Sequence, residues 1–162
     1  KVGMIIKYNI LLASNAVWGV HENGNIYYCD APDGAGLKLL IKIKQIDVGG
    51  LGVFGVAANH KIYYRIGTRN NPQSTAPLGK SMNTYLVFTI ILFSRIFGDA
   101  KHITVTDMSI WAINPHGRTY TAKHIQFTDD GRIHFDWDLK YKYKLKQISA
   151  HGMFILYYFF IS

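Results

Sequence analysis

The sequence predicts an all-β fold built from repeated, blade-sized units. One phrase is written three times: Val17-Trp18-Gly19-Val20 with Ile26-Tyr27-Tyr28, Val53-Phe54-Gly55-Val56 with Ile62-Tyr63-Tyr64, and Ile110-Trp111-Ala112-Ile113 with Thr119-Tyr120-Thr121. Within each copy, apolar residues alternate with small or polar ones, as a half-buried strand requires. Turn signals separate the strands at regular intervals, and no segment carries a helical stripe. A repeated aromatic unit cannot bury its apolar face alone, so the copies must stack. Units of ~40 residues with about four short strands are the size of propeller blades. The expected architecture is a partial β-propeller of about three to four antiparallel, four-stranded blades.

The copies keep register. Trp18 and Phe54 stand 36 positions apart, and Phe54 and Trp111 stand 57 apart. A lead-in strand begins nine positions before each aromatic: Asn9-Ile10-Leu11-Leu12, Gln45-Ile46-Asp47-Val48 and His102-Ile103-Thr104-Val105. A fourth lead-in, Lys146-Gln147-Ile148-Ser149-Ala150, puts Leu156 where an aromatic should stand, so the fourth unit is degenerate. The repeats are placed at approximately 8–43, 44–83, 99–143 and 144–162, in one repeat region over 1–162, with an apolar insert at 84–97.

Each copy also has its turn. His21-Glu22-Asn23-Gly24-Asn25 and Asn114-Pro115-His116-Gly117-Arg118 carry a glycine for a positive backbone angle. Ala57-Ala58-Asn59-His60-Lys61 lacks one, and Asn59 is expected to take the left-handed position. A further hairpin is expected at Thr128-Asp129-Asp130-Gly131-Arg132, where the aspartates serve the turn itself.

A chain of 162 residues holds about four such units, so a partial ring is the expectation. Its open end would expose strand edges and apolar surface and favour self-association. Met4-Ile5-Ile6-Lys7 and the residues after it resemble a leader only superficially, because they run into the first lead-in strand. Lys and Arg number 18 against 10 Asp and Glu, a net charge of +8. That balance suits lipopolysaccharide, phospholipid headgroups or nucleic acid, or simply a basic surface. Lys140-Tyr141-Lys142-Tyr143-Lys144-Leu145-Lys146 reads as a strand with a basic face. It could bind phosphate and stack rings, or protect a sheet edge with lysines. With Cys29 as the one cysteine, no internal disulfide or Cys-rich metal site can form.

Two segments break the pattern. Thr84-Tyr85-Leu86-Val87-Phe88-Thr89-Ile90-Ile91-Leu92-Phe93 is a continuous apolar run. Met153-Phe154-Ile155-Leu156-Tyr157-Tyr158-Phe159-Phe160-Ile161 stands where the fourth unit should close. Both fall short of the ~20 residues of a spanning helix. Three readings stay open: elements packed on the blades, membrane-dipping anchors, or non-native coding sequence such as retained introns.

Lys44-Gln45-Ile46-Asp47-Val48-Gly49, Val53-Phe54-Gly55-Val56 and Ile62-Tyr63-Tyr64-Arg65 resemble the opening, middle and close of the tectonin repeat, with Phe where that family has Trp. The stretch from Thr68 to Gly79 is similar to its inter-blade loop. The resemblance covers most of 8–79 and 99–152 and fails over the two apolar runs. It implies a secreted β-propeller lectin that recognises bacterial surface glycans or lipopolysaccharide in innate defence. The alternative it implies is an intracellular, cytoplasmic scaffold or membrane-recognition module that binds protein or anionic lipid. Nucleic acid is not an expected partner.

Trp18, Phe54 and Trp111, with Tyr27, Tyr63 and Tyr120, are expected to fill the layers between blades rather than to stack on sugars. Propellers expose loops, so the ligand-facing candidates are turn residues: His21, Glu22, Asn23, Asn59, His60, Lys61, Asn114, His116 and Arg118. Their amide, imidazole, ammonium and guanidinium groups can bond hydroxyls or phosphate. The bland reading for each is turn formation alone. The seven histidines show no metal-ligand spacing, and no cofactor is called for. No nucleophile elbow, phosphate loop or carboxylate pair is present, and the chain reads as non-enzymatic.

Overall fold

The computed structural model describes residues 7–10, 17–20, 22–29, 42–71, 93–142, 144–151 and 154–158. Among them every regular element is a strand and every pairing is antiparallel. Strands β1 (Lys7–Ile10), β2 (Val17–Val20) and β3 (Ile26–Cys29) form a first sheet. A second, four-stranded sheet joins β4 (Ile43–Gly49), β5 (Gly52–Ala57), β6 (Lys61–Arg65) and β7 (Phe93–Asp99). The third, also four-stranded, joins β8 (His102–Val105), β9 (Ile110–Ile113), β10 (Thr119–Phe127) and β11 (Ile133–Tyr141). Strands β12 (Gln147–His151) and β13 (Phe154–Tyr158) pair as a fourth. In each sheet the strands lie side by side in chain order; tight turns join β2 to β3, β4 to β5, β5 to β6 and β9 to β10, whereas 27 residues separate β6 from β7.

The sheets pack face against face in sequence. Trp18, Val20 and Ile26 of the first meet Ile43, Ile46, Val48 and Val53 of the second. Phe54, Val56, Ile62 and Tyr64 of the second meet Ile103, Val105, Ile110 and Ala112 of the third. Ile113 of the third meets Ile148 of the fourth and Leu145, just ahead of β12. Strand β5 is therefore buried along its whole length, not on the single face that alternation suggests.

Polar latches repeat along the stack. The Asp47 carboxylate accepts the Val105 N–H at 2.7 Å. Thr104, the residue equivalent to Asp47, accepts the Ala150 N–H at 3.1 Å. Gln45 brackets Ile103, donating to its carbonyl at 2.8 Å and accepting from its N–H at 2.9 Å. These bonds satisfy backbone groups that the stacking would otherwise strand. Asp47→Ala is expected to cost about 1–3 kcal/mol by leaving the Val105 N–H without its acceptor. Asp47→Asn, which keeps an acceptor oxygen, should lose less; urea unfolding of the two variants distinguishes them.

A second repeated bond closes each turn onto the next sheet. Gly24, His60 and Gly117 occupy equivalent positions with φ of 82°, 66° and 87°. Their carbonyls accept the N–H groups of Ile43, Ala100 and Leu145 at 3.1, 2.8 and 3.0 Å. His60, not Asn59, thus holds the left-handed position of the second turn, which corrects the sequence expectation. Register explains it: His60 lies 36 positions after Gly24, while Asn59 spends its side-chain oxygen on the Lys61 N–H at 3.2 Å. A residue with a Cβ pays about 1–2 kcal/mol there, partly offset by the lower chain entropy of a non-glycine. His60→Gly is expected to stabilise the protein by about 0.5–1 kcal/mol in urea unfolding.

Three further differences from the sequence reading concern boundaries. The first lead-in strand is Lys7–Ile10, with Asn9 opposite Trp18, two residues earlier than the repeat register places it. Leu11 and Leu12 lie outside the described residues. The alternating lysine run is not one strand: β11 ends at Tyr141, and Leu145 is buried in the next layer. The apolar runs are described only in part. Residues 93–97 of the insert belong to β7, the fourth strand of the second sheet, and 84–92 lie outside the described residues. In the second run, Leu156 stands opposite Ser149, as Phe54 does opposite Asp47 and Trp111 opposite Thr104.

Candidate functional site

A cleft of about 500 Å³ opens between the second and third sheets. Its aromatic wall comes from β11, β7 and β10. Trp137 on β11 donates its indole N–H to the Phe97 carbonyl on β7 at 2.9 Å, so the ring is tied to both sheets. Phe135 meets Trp137 edge-on, with ring centres 4.8 Å apart. Gly98 makes room for this arrangement. Its φ is 108°, and a Cβ there would stand 2.8 Å from the indole nitrogen. Tyr120 of β10 lines the same space, and the Phe97 ring is 91% exposed at its edge.

The polar wall comes from β6, β7 and the β9–β10 turn. Lys61, opening β6, holds Asp99 at 2.6 Å. That hydrogen bond pulls the Asp99 carboxyl below its ordinary pKa, so the carboxylate stays ionised at neutral pH. Asn114 and His116 reach the cleft from the β9–β10 turn, and Arg95 from β7. Asn114 also accepts the Arg118 N–H at 2.9 Å, which shapes its own turn. The result is an apolar ring surface flanked by an ammonium, carboxylate, amide, imidazole and guanidinium. It is suited to a flat molecule with hydroxyl edges.

The cleft gathers Lys61, Asn114 and His116 from the ligand-facing candidates, and also Tyr120, which the sequence assigned to the layers between blades and which instead is half-buried in the cleft lining. The others stand elsewhere. Glu22 and Asn23 are exposed on the β2–β3 turn, where Asn23 accepts the Asn25 N–H at 2.9 Å. Asn59 is exposed and His60 half-buried in the β5–β6 turn, and Arg118 is exposed outside the cleft lining. His21 and the Tyr27 side chain lie outside the described residues. Trp18 and Phe54 are 0% exposed inside the layers. Trp111 is half-buried against Ile113, Leu145 and Ile148, and donates its indole N–H to Ser109 at 3.2 Å. Tyr63 is half-buried, and the fully buried tyrosine of that pair is Tyr64. Burial pushes the Tyr64 hydroxyl above its ordinary pKa.

Sequence reasoning missed Trp137, Phe97, Arg95 and Asp99. Phe97 sits in the segment set aside as an insert. The alternation Phe135-Asp136-Trp137-Asp138 was the available sign that Trp137 shares a face with Phe135.

Another cavity, of about 330 Å³, lies along β4, β8 and β12. Its Gln45, Asp47 and Thr104 are the latch residues, so their polar atoms already serve the stack. Among the described residues no group of three or more His, Cys, Asp or Glu could hold a metal ion. Among the same residues no helix is long and apolar enough to cross a membrane. No family model matches the chain, and no curated protein matches it.

Proposed function

We propose that the chain is a lectin: a partial β-propeller of tectonin-type blades, acting outside the cell, that binds bacterial surface glycans or lipopolysaccharide in innate defence. The aromatic cleft between the second and third sheets supports this reading most. Trp137 and Tyr120 offer faces for the apolar side of a sugar ring. Lys61, Asn114 and His116 offer bonds to its hydroxyls. One cleft of this kind binds weakly, and repetition along a ring would raise avidity without new contacts. Four sheets in chain order, with repeat-equivalent latches, support the propeller part of the proposal.

A glycan array combined with a lipopolysaccharide pull-down tests the proposal. The protein is expected to be retained, and Trp137→Ala to weaken retention by about tenfold or more, the scale of one lost ring contact with its buried area. If the folded protein retains neither a sugar nor lipopolysaccharide, the lectin reading falls. Retention on anionic vesicles alone would favour a membrane-recognition module instead.

A further inference from the structure

We infer that the pocket beside this cleft is an oxyanion site for a phosphate monoester, carried by the saccharide that the cleft holds. The inference rests on the glycan reading above. The pocket measures about 400 Å³ and is walled by Lys101, Lys144, Lys146 and His116. Pro115 and His116 line both spaces, so one turn separates sugar cleft from anion pocket. A ligand with a ring and a charged substituent can lie across that turn.

The repeat itself shows why charge collects here. Each turn is bonded to the chain at or just before the strand that opens the next sheet, through the carbonyls of Gly24, His60 and Gly117. The residues flanking that bond occupy equivalent positions in each copy. In the first they are Asn25 and Lys42, bonded at 3.0 Å. In the second they are Lys61 and Asp99, an ion pair at 2.6 Å. In the third they are Arg118 and Lys144. A carboxylate that neutralises its partner in the second repeat is replaced by a lysine in the third.

Lys101 and Lys146 add to this positive field. Both occupy the position after the bonded residue, as Lys44 does, so the repeat places a lysine there in each of three units. Burial and the neighbouring Lys146 charge push the Lys101 ammonium below its ordinary pKa. Backbone approach fixes the geometry: a Cβ on Gly117 would stand 2.9 Å from the Lys144 Cα. Three ammonium groups and an imidazole around one cavity suit the three oxygens of a phosphate monoester.

The test titrates the full chain with N-acetylglucosamine, a phosphorylated N-acetylglucosamine and inorganic phosphate, at low and raised ionic strength. The same titrations follow on K144Q/K146Q. Both lysines are exposed, so the variant should keep its fold, which circular dichroism checks. The phosphorylated sugar is expected to bind about tenfold more tightly than the neutral one. That preference should vanish in the variant and shrink with salt. Equal affinity for both sugars, or a preference that survives the substitution, overturns the anion pocket and leaves the glycan cleft standing. Binding of inorganic phosphate and phosphorylated sugar alike, without the neutral sugar and lost in the variant, supports the pocket and overturns the glycan reading. Binding of none overturns both.

Discussion

Phe54→Ala is expected to lower the unfolding free energy by about 3–5 kcal/mol, the cost of deleting a large ring from a packed core. Phe54 is 0% exposed, and its ring lies 4.9 Å from Tyr64, also 0% exposed. Around it are Ile103, Val105 and Ile110 of the third sheet. The cavity left behind would therefore lie between two sheets rather than within one. Neither sheet can collapse into it without breaking the Gln45–Ile103 and Asp47–Val105 bonds. Trp111→Ala at the equivalent position should cost less, because that ring is half-buried. Chemical unfolding of both variants tests the difference. A Phe54 cost no larger than that of Trp111 would mean that the second and third sheets are not packed as described.

Gly49→Ala is expected to cost about 1–3 kcal/mol by overpacking the same interface. A methyl group there would stand 2.7 Å from the Thr106 carbonyl oxygen and 2.8 Å from that of Val105. Both contacts are with backbone of the neighbouring sheet, so no rotamer change relieves them. The sheets must part, which strains the Leu51 N–H bond to Thr106 at 3.3 Å and the Gly50 N–H bond to Asp107 at 2.9 Å. Gly55→Ala is the control. Its added methyl would meet the Ile43 side chain at 3.2 Å, a contact with a movable group. A Gly49 variant as stable as the Gly55 variant would contradict close approach at this point.

The strands were legible because their cause is local. Alternation in Gln45-Ile46-Asp47-Val48 and the turn at Asn23-Gly24 act within a few residues, and both stand where the sequence places them. The turn at His60 was not legible. Propensity favours Asn for a left-handed angle, but the bond from Ala100 to the His60 carbonyl is tertiary and fixes the position. Burial on both faces of β5 was hidden for a similar reason. Gly55 and Ala57 look like a polar or empty side in the sequence, yet the first sheet covers that face. The candidate site was half legible. Turn chemistry pointed to Lys61, Asn114 and His116. Trp137 and Phe97 are joined by pairing across 40 positions, and no short motif encodes that contact.

The three tryptophans make the central claim directly measurable. Trp18 is buried in the first layer, Trp111 packs in the third, and Trp137 lines the cleft. Titration with a retained glycan, followed by tryptophan fluorescence, is expected to give a saturable change. That change should persist in Trp111→Phe and disappear in Trp137→Phe. A saturable change that survives Trp137→Phe and is lost in Trp111→Phe would contradict a glycan site between the second and third sheets.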